Sequence, residues 1–416
     1  MEEKKTGAVR KSIDRLFKGK NPLILIIETA LLCVCIYGVY KSCWMNSVGV
    51  SLWLDEALLA FSFSKRGLLN LTSGIFEWNQ IAPVGWLYIN KIMATIFGNT
   101  EFVIRLFSVF SYAATLFVIY YISKRHFRLR LPLLCPAFIA SMSFALRYSI
   151  MFKPYISDGL FTMIAILAYL QYREKNSRSG CWILGIVWAV LLWFSNPVCF
   201  VSGGIILSEI AFILFKNVRG IIRKNSTFRD LSSDMVPWII TGSILVLSFV
   251  VYYFYWLRPV AVGDPMQDYW QGQNFPLFPK SPDDWAKMKK MKDEIFTHFS
   301  FLEPIMMFGL AATLIYGIYK KSRSIVGLYL GIPLMLFASY INMFPVEDRM
   351  WYYFYPLALL LFFIGADKLL HIKNEKKGIA SLLILAIFGY YAISGNNGFQ
   401  KYSTAEQVYQ IGRAHV

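Results

Sequence analysis

Apolar runs of about 20 residues, the length that crosses the hydrocarbon layer of a bilayer, recur along this chain. They fall at roughly 22–44, 101–122, 131–150, 154–171, 181–195, 197–215, 235–257, 300–319, 325–344, 350–366 and 378–394. Each is separated from the next by a short polar or basic stretch. The pattern predicts an all-α polytopic membrane protein, a bundle of about eleven transmembrane helices. One further apolar stretch, 81–97, is short and carries Asn90 and Lys91.

Loop charge decides how that stretch is placed. If 81–97 does not span, the basic loops at 4–20, 124–130, 173–178, 216–229, 320–323 and 368–377 all fall on one side, as cytoplasmic loops do. If it spans, the N-terminus contradicts every later loop. The expected organisation is a basic cytoplasmic segment at 1–21 and a membrane module at 22–394. External loops at about 45–100 and 258–299 carry surface helices, and an external tail follows at 395–410. Residues 411–416, Ile-Gly-Arg-Ala-His-Val, are what one frame of a common sequencing adapter encodes, and they are set aside as a scar.

Composition agrees with the pattern: 56% of residues are hydrophobic, 17% aromatic and 16% charged. The net charge of +17 invites a nucleic-acid reading, but the basic residues sit between apolar runs, so no nucleic-acid partner is expected. The six cysteines lie in or beside apolar runs without framework spacing, and the four histidines are scattered. They imply neither a disulfide scaffold nor a histidine metal site. No fixed-period repeat is visible, which argues against an inverted-repeat transporter.

Against this apolar background three polar knots stand out. An ionisable group costs about 2.5–3.5 kcal/mol at the bilayer centre on insertion scales, so such groups usually have a reason to be present. The first knot is Leu52-Trp53-Leu54-Asp55-Glu56-Ala57, just past the first span. Adjacent acids diverge on any regular backbone, so one of the two is expected to face a reacting centre. That carboxylate could take a proton from an acceptor or hold a divalent cation; a solvated acid pair on a loop would look the same. The second knot is Gln80-Ile81-Ala82-Pro83. Pro83 suits a first helical turn, and Gln80 could bond a sugar hydroxyl or simply cap a helix. The third is Lys153-Pro154-Tyr155 with Asp158. A helix start with a lysine beside it favours phosphate, while a plain Lys153–Asp158 ion pair is the bland alternative. Arg105 and Arg349, each at the outer end of a span, could grip phosphate oxygens bidentately. Tyr269-Trp270 could stack on a sugar or hold a lid.

Taken in order, Leu-Trp-Leu-Asp55-Glu56-Ala, Gln80-x-x-Pro83, Phe-Gly98-Asn-Thr-Glu101-Phe-x-x-x-Arg105-Leu and Phe-Lys153-Pro-Tyr155-x-x-Asp158 resemble the GT-C membrane glycosyltransferases. The similarity runs over about 20–370 and lies closest to glycosyltransferase family 39, which holds the protein O-mannosyltransferases and the lipid A aminoarabinose transferase. Where that family has a double proline, this chain has Ala82-Pro83. The resemblance implies a GT-C-like bundle, a polyprenyl-phosphate sugar donor, and an essential acid at Asp55 acting as base or metal ligand.

The reading that follows is a multi-pass enzyme of a bacterial cytoplasmic membrane with its site facing outside. It transfers a sugar from the polyprenyl-phosphate donor to a lipid, glycan or protein acceptor. Asp55 and Glu56 are the expected catalytic pair, and Lys153, Asp158, Arg105, Arg349, Tyr155 and Gln80 the expected donor-binding set. No cofactor is required beyond a divalent cation that Asp55 could hold, and the expected partners are these substrates and membrane lipids. A secondary transporter would place its charges at mid-membrane; an envelope-assembly scaffold would leave the Lys153–Asp158 corner without a use.

Overall fold

In the computed structural model, residues 22–74, 76–77, 80–261, 274–296, 299 and 303–369 are described. The basic N-terminal segment, Tyr269-Trp270, the eleventh predicted span and the tail lie outside them. Among the described residues the chain is helical, and a helix occupies each of the first ten predicted spans. In order these are α1 (Pro22–Ser47), the surface helices α2 (Leu54–Lys65) and α3 (Val84–Phe97), then α4 (Glu101–Tyr121) with a π-helical turn after it. Next come α5 (Leu134–Ser141), α6 (Ser143–Ser149), α7 (Tyr155–Lys175), α8 (Arg178–Leu192) and α9 (Val198–Ile222). The series closes with α10 (Phe228–Tyr252), a surface helix α11 (Pro282–Phe296), α12 (Glu303–Tyr319), α13 (Arg323–Tyr340) and α14 (Phe354–Leu369). Among the described residues, five helices are long and apolar enough, by length and composition alone, to cross a membrane: Ile24–Ser47, Glu101–His126, Val198–Ile222, Phe228–Leu257 and Arg323–Tyr340.

Helices in lipid associate through close packing more than through hydrophobic burial, and small residues permit it. The crossing of α9 and α13 shows this. A Cβ on Gly204 would stand 2.3 Å from the Gly331 amide nitrogen, and one on Gly327 would stand 3.2 Å from Ile205 Cα. The third predicted span is not one helix. It breaks at Met142 between α5 and α6, and the Tyr112 hydroxyl donates to the Ala140 carbonyl at 3.1 Å beside the break.

Polar contacts sort the bundle into two ends. At one end the basic segments tie to one another: Arg125 and His126 to Glu174, Arg130 to Asp367, and Arg173 and Arg323 both to the fully buried Glu209. At the other end lie α2, both termini of α3, and the loops that join α6 to α7 and α8 to α9. The Gly85 amide donates to the Trp193 carbonyl, and the Trp256 indole donates to Ala82. α3 leaves through Gly98 (φ +94°), a conformation that suits glycine, and re-enters the bundle as α4. It has 14 residues, about 21 Å at 1.5 Å per residue, and both termini stay at this end.

Candidate functional site

The two acids stand at the start of α2. Glu56 turns inward. One of its oxygens accepts from the Trp53 amide at 3.0 Å, completing the N-terminal turn of α2, and the other accepts from the Phe152 amide at 2.6 Å. Arg105, from α4, closes on the same carboxylate with contacts of 3.2 to 3.4 Å and donates as well to the carbonyls of Val50 and Ser51. The side chains of Arg105 and Glu56 are only 2% and 3% exposed. Arg105, expected at a phosphate, is thus sealed against Glu56. The pair fixes the Ser51–Glu56 corner to the loop before α7.

Asp55 turns the other way, to the 3₁₀ turn Asp348–Trp351 that precedes α14. Its Oδ2 accepts from Arg349 Nη1 at 2.5 Å, and both side chains keep part of their surface open. Glu347 approaches the far side of the same guanidinium at 3.2 Å. Burial pushes the Glu347 carboxyl up, and Arg349 pulls it back down. α11 packs over this turn, with Met291 and Ile295 buried.

Lys153 lies in the loop between α6 and α7, buried, with its ammonium donating to Gln80 Oε1 at 2.7 Å. It makes no ion pair with Asp158, the bland alternative in the sequence. Burial pulls its pKa down to about 8, against the pull of Asp55, with Arg349 adding to the depression and Glu56 opposing it. Asp55, Arg349 and Lys153 therefore share one electrostatic neighbourhood. Tyr155, in the first turn of α7, is within electrostatic reach of Asp55 and Arg349 and of Asp158 too.

Asp158 sits at the end of that first turn, its amide donating to the Pro154 carbonyl at 2.9 Å. Its Oδ1 is buried without a hydrogen-bond partner. Among the described residues no three His, Cys, Asp or Glu side chains group closely enough to hold a metal. A cation at Asp55 would also have to displace Arg349. The described residues therefore offer no ready-made metal site at this corner.

The sequence reading missed Glu347, the Phe152 amide, and a polar hairpin Ser195-Asn196 between α8 and α9. The hairpin had a visible signal: Ser195-Asn196-Pro197 interrupts two consecutive apolar runs. The Phe152 contact had none, because it is a backbone donor inside an apolar stretch.

Residues 82–256 match the dolichyl-phosphate-mannose-protein mannosyltransferase family. Among solved structures, the oligosaccharyltransferase of Archaeoglobus fulgidus in its apo form aligns with a TM-score of 0.53 at 14% identity, over 88% of this chain and 55% of that one. The same archaeal enzyme, AglB, in complex with an inhibitory peptide and a dolichol-phosphate aligns at 0.54, with the same identity and coverage. A Frizzled/smoothened-like sans CRD protein F of Dictyostelium discoideum is 22% identical over 180 residues, 42% of this chain and 38% of that protein. The chain thus spans about half the length of the archaeal enzyme it aligns with. Its helical bundle is the GT-C fold.

Proposed function

We propose that this chain, a GT-C superfamily protein by family match and fold, is a membrane glycosyltransferase that uses a polyprenyl-phosphate sugar. The observation that carries the reading is the Asp55–Arg349 contact, with Lys153 beside it, at one end of an apolar bundle. A carboxylate that can take a proton and two cations that can hold a phosphate are the parts this reaction needs. AglB has been solved with dolichol-phosphate and with a tethered acceptor peptide, which supports the same pairing of lipid donor and acceptor here.

In the proposed reaction the acceptor hydroxyl or amine attacks the anomeric carbon of the donor sugar. The bond from that carbon to the phosphate oxygen breaks, and the phosphate leaves with the electron pair. Asp55 takes the acceptor proton. Arg349 and Lys153 hold the phosphate, whose charge rises in the transition state, and preorganised cations are worth most at that moment. Gln80 fixes the Lys153 ammonium, and Tyr155 lines the path between phosphate and sugar. Glu56 and Arg105 position the corner that carries Asp55. The lipid tail would lie between helices, and the site would face outside, opposite the basic loops.

The test is transfer in reconstituted membranes. Undecaprenyl phosphate carrying mannose, glucose, galactose or arabinose is supplied with a membrane extract as acceptor source, and bare undecaprenyl phosphate is measured. Release that depends on both protein and acceptor supports the reading. No release from any of the donors, with the protein folded, sinks it.

A further inference from the structure

We infer that the recess between α1, α4 and α5 binds one anionic glycerophospholipid, with a hydrocarbon chain in the recess and the phosphate at Lys124 and Arg128. The lipid belongs to the leaflet at the basic end of the bundle. The inference concerns the end opposite Asp55 and does not depend on the transfer reaction.

The recess has a volume of about 600 Å³ and an apolar lining. Its floor is the buried Cys35 and Leu116 with the half-buried Ala113, and its walls are Ile36 of α1 and Pro136 of α5. Ala113 keeps the floor open, a small side chain one turn from Leu116 on the same face of α4. Tyr120, in the last turn of α4, stands at the mouth. The volume is that of a single-ligand site, about 300–1,000 Å³. A partner helix about 10 Å across and 30 Å long would displace on the order of 2,000 Å³, so the recess fits a lipid chain and not a helix.

Hydrocarbon alone gives no preference, because the lipid around the bundle is as apolar as the recess. Selection must come from the headgroup, and the segment that ends α4 supplies it. The π-helical turn Ile122–His126 and the Leu129 amide, which donates to the Ser123 carbonyl at 2.9 Å, fold this segment into one compact turn. Its cations divide in two. Arg125 and His126 face Glu174, and Arg130 faces Asp367. Lys124 and Arg128 are exposed, and among the described residues neither forms an ion pair with a carboxylate. The Lys124 ammonium donates to the Tyr120 hydroxyl at 2.8 Å, which holds a full positive charge at the mouth of the recess. The carbonyls of Ile122 and Ser123 are taken by the Phe127 and Leu129 amides, so Lys124 is not spent on the helix end. A glycerophospholipid anion matches both parts: its chain fills the recess, and its phosphate meets two cations that the fold leaves without an acid.

The experiment uses the full-length protein purified in detergent and freed of lipid, with binding read by native mass spectrometry. Phosphatidylglycerol should bind as one copy per chain, in preference to phosphatidylcholine with the same chains. A cation near a lipid phosphate is worth about five-fold in affinity, so Lys124→Ala should weaken phosphatidylglycerol about five-fold and the Lys124→Ala/Arg128→Ala pair about twenty-five-fold. The same double change at Lys320 and Lys321, exposed cations of the α12–α13 connection, should leave binding unchanged. Ala113→Phe, which fills the floor, should lose the lipid with both cations in place. Should Ala113→Phe not fold, the exposed lysine and arginine variants decide the matter. Equal binding of the two phospholipids, equal loss from the Lys320/Lys321 pair, or a folded Ala113→Phe that binds like wild type would overturn the assignment. Displacement of phosphatidylglycerol by undecaprenyl phosphate would overturn it too, by giving the recess to polyprenyl chains.

Discussion

At the scale of single residues, two neighbours with the same charge do different work. Asp55 meets Arg349 in a half-open site, whereas Glu56 is sealed on Arg105 and two backbone amides. Asp55→Asn should therefore lower transfer by about 10²–10⁴-fold, the usual contribution of a general base, and leave donor binding intact because Arg349 is released to the phosphate. Glu56→Gln should instead destabilise. Removing one partner of a buried pair leaves an uncompensated charge, which costs about 3–5 kcal/mol and is read as a lower unfolding temperature. Equal loss of activity at unchanged stability in both variants would contradict this division. Lys153 gives a pH signature. With its pKa held near 8 by burial, its charge is present below that pH and lost above it, while a phosphodiester keeps its charge throughout. Donor affinity should fall about ten-fold for each pH unit above 8, and Lys153→Arg should flatten the slope because guanidinium stays charged. A flat wild-type titration from pH 7 to 9.5 would remove Lys153 from the phosphate site. The divergence of the two acids was legible in the sequence, since adjacent side chains cannot share a direction. Their partners were not: Asp55 and Arg349 are 294 positions apart, and no local pattern specifies such a contact. Arg105 shows the converse, a residue whose type suited phosphate but whose burial assigned it to Glu56.

At the scale of elements, the apolar period placed the helices and their order, but it could not see how two helices meet. The break at Met142 has no proline or glycine to announce it, and it is held by a tyrosine on another helix. The short length of α3 and its Asn90 and Lys91 are the features by which the sequence sets it apart from the longer apolar runs. Lys91 is buried, donating to the Phe63 carbonyl at 2.9 Å at the end of α2, so the two surface helices are joined and carry the Asp55 corner as a unit. The glycine crossing of α9 and α13 yields a paired prediction. Gly204→Ala places a methyl 2.3 Å from backbone, whereas Gly203→Ala meets only the movable end of Leu334 at 3.1 Å. The first should destabilise by about 1–3 kcal/mol, as overpacking does, and the second by much less. Thermal unfolding of the purified proteins side by side checks it, and equal midpoints would mean that the two helices do not cross at Gly204.

At the scale of the whole molecule, the distribution of charge and the site must agree about the membrane. The basic segments gather at one end of the bundle, tied through Glu174, Glu209 and Asp367, and the Asp55 corner lies at the other. Positive loops stay in the cytoplasm, so the site end is expected to face outside, where an acceptor in the envelope would meet a donor held in the lipid. This rests on α3 not spanning, because one added crossing would reverse every later helix against the first. Two exposed positions report the outcome. Asp283 opens α11 above the Arg349 turn, and Asn225 lies in the basic connection between α9 and α10. In a chain cleared of its native cysteines, Asp283→Cys should react with a membrane-impermeant maleimide on intact cells, and Asn225→Cys only after the membrane is opened. The reverse pattern would move the site to the cytoplasmic face, where a nucleotide-sugar or cytoplasmic acceptor would have to replace the one inferred here. Labelling of both positions in intact cells would mean that the bundle is not inserted in one orientation, and the charge argument would fail with it.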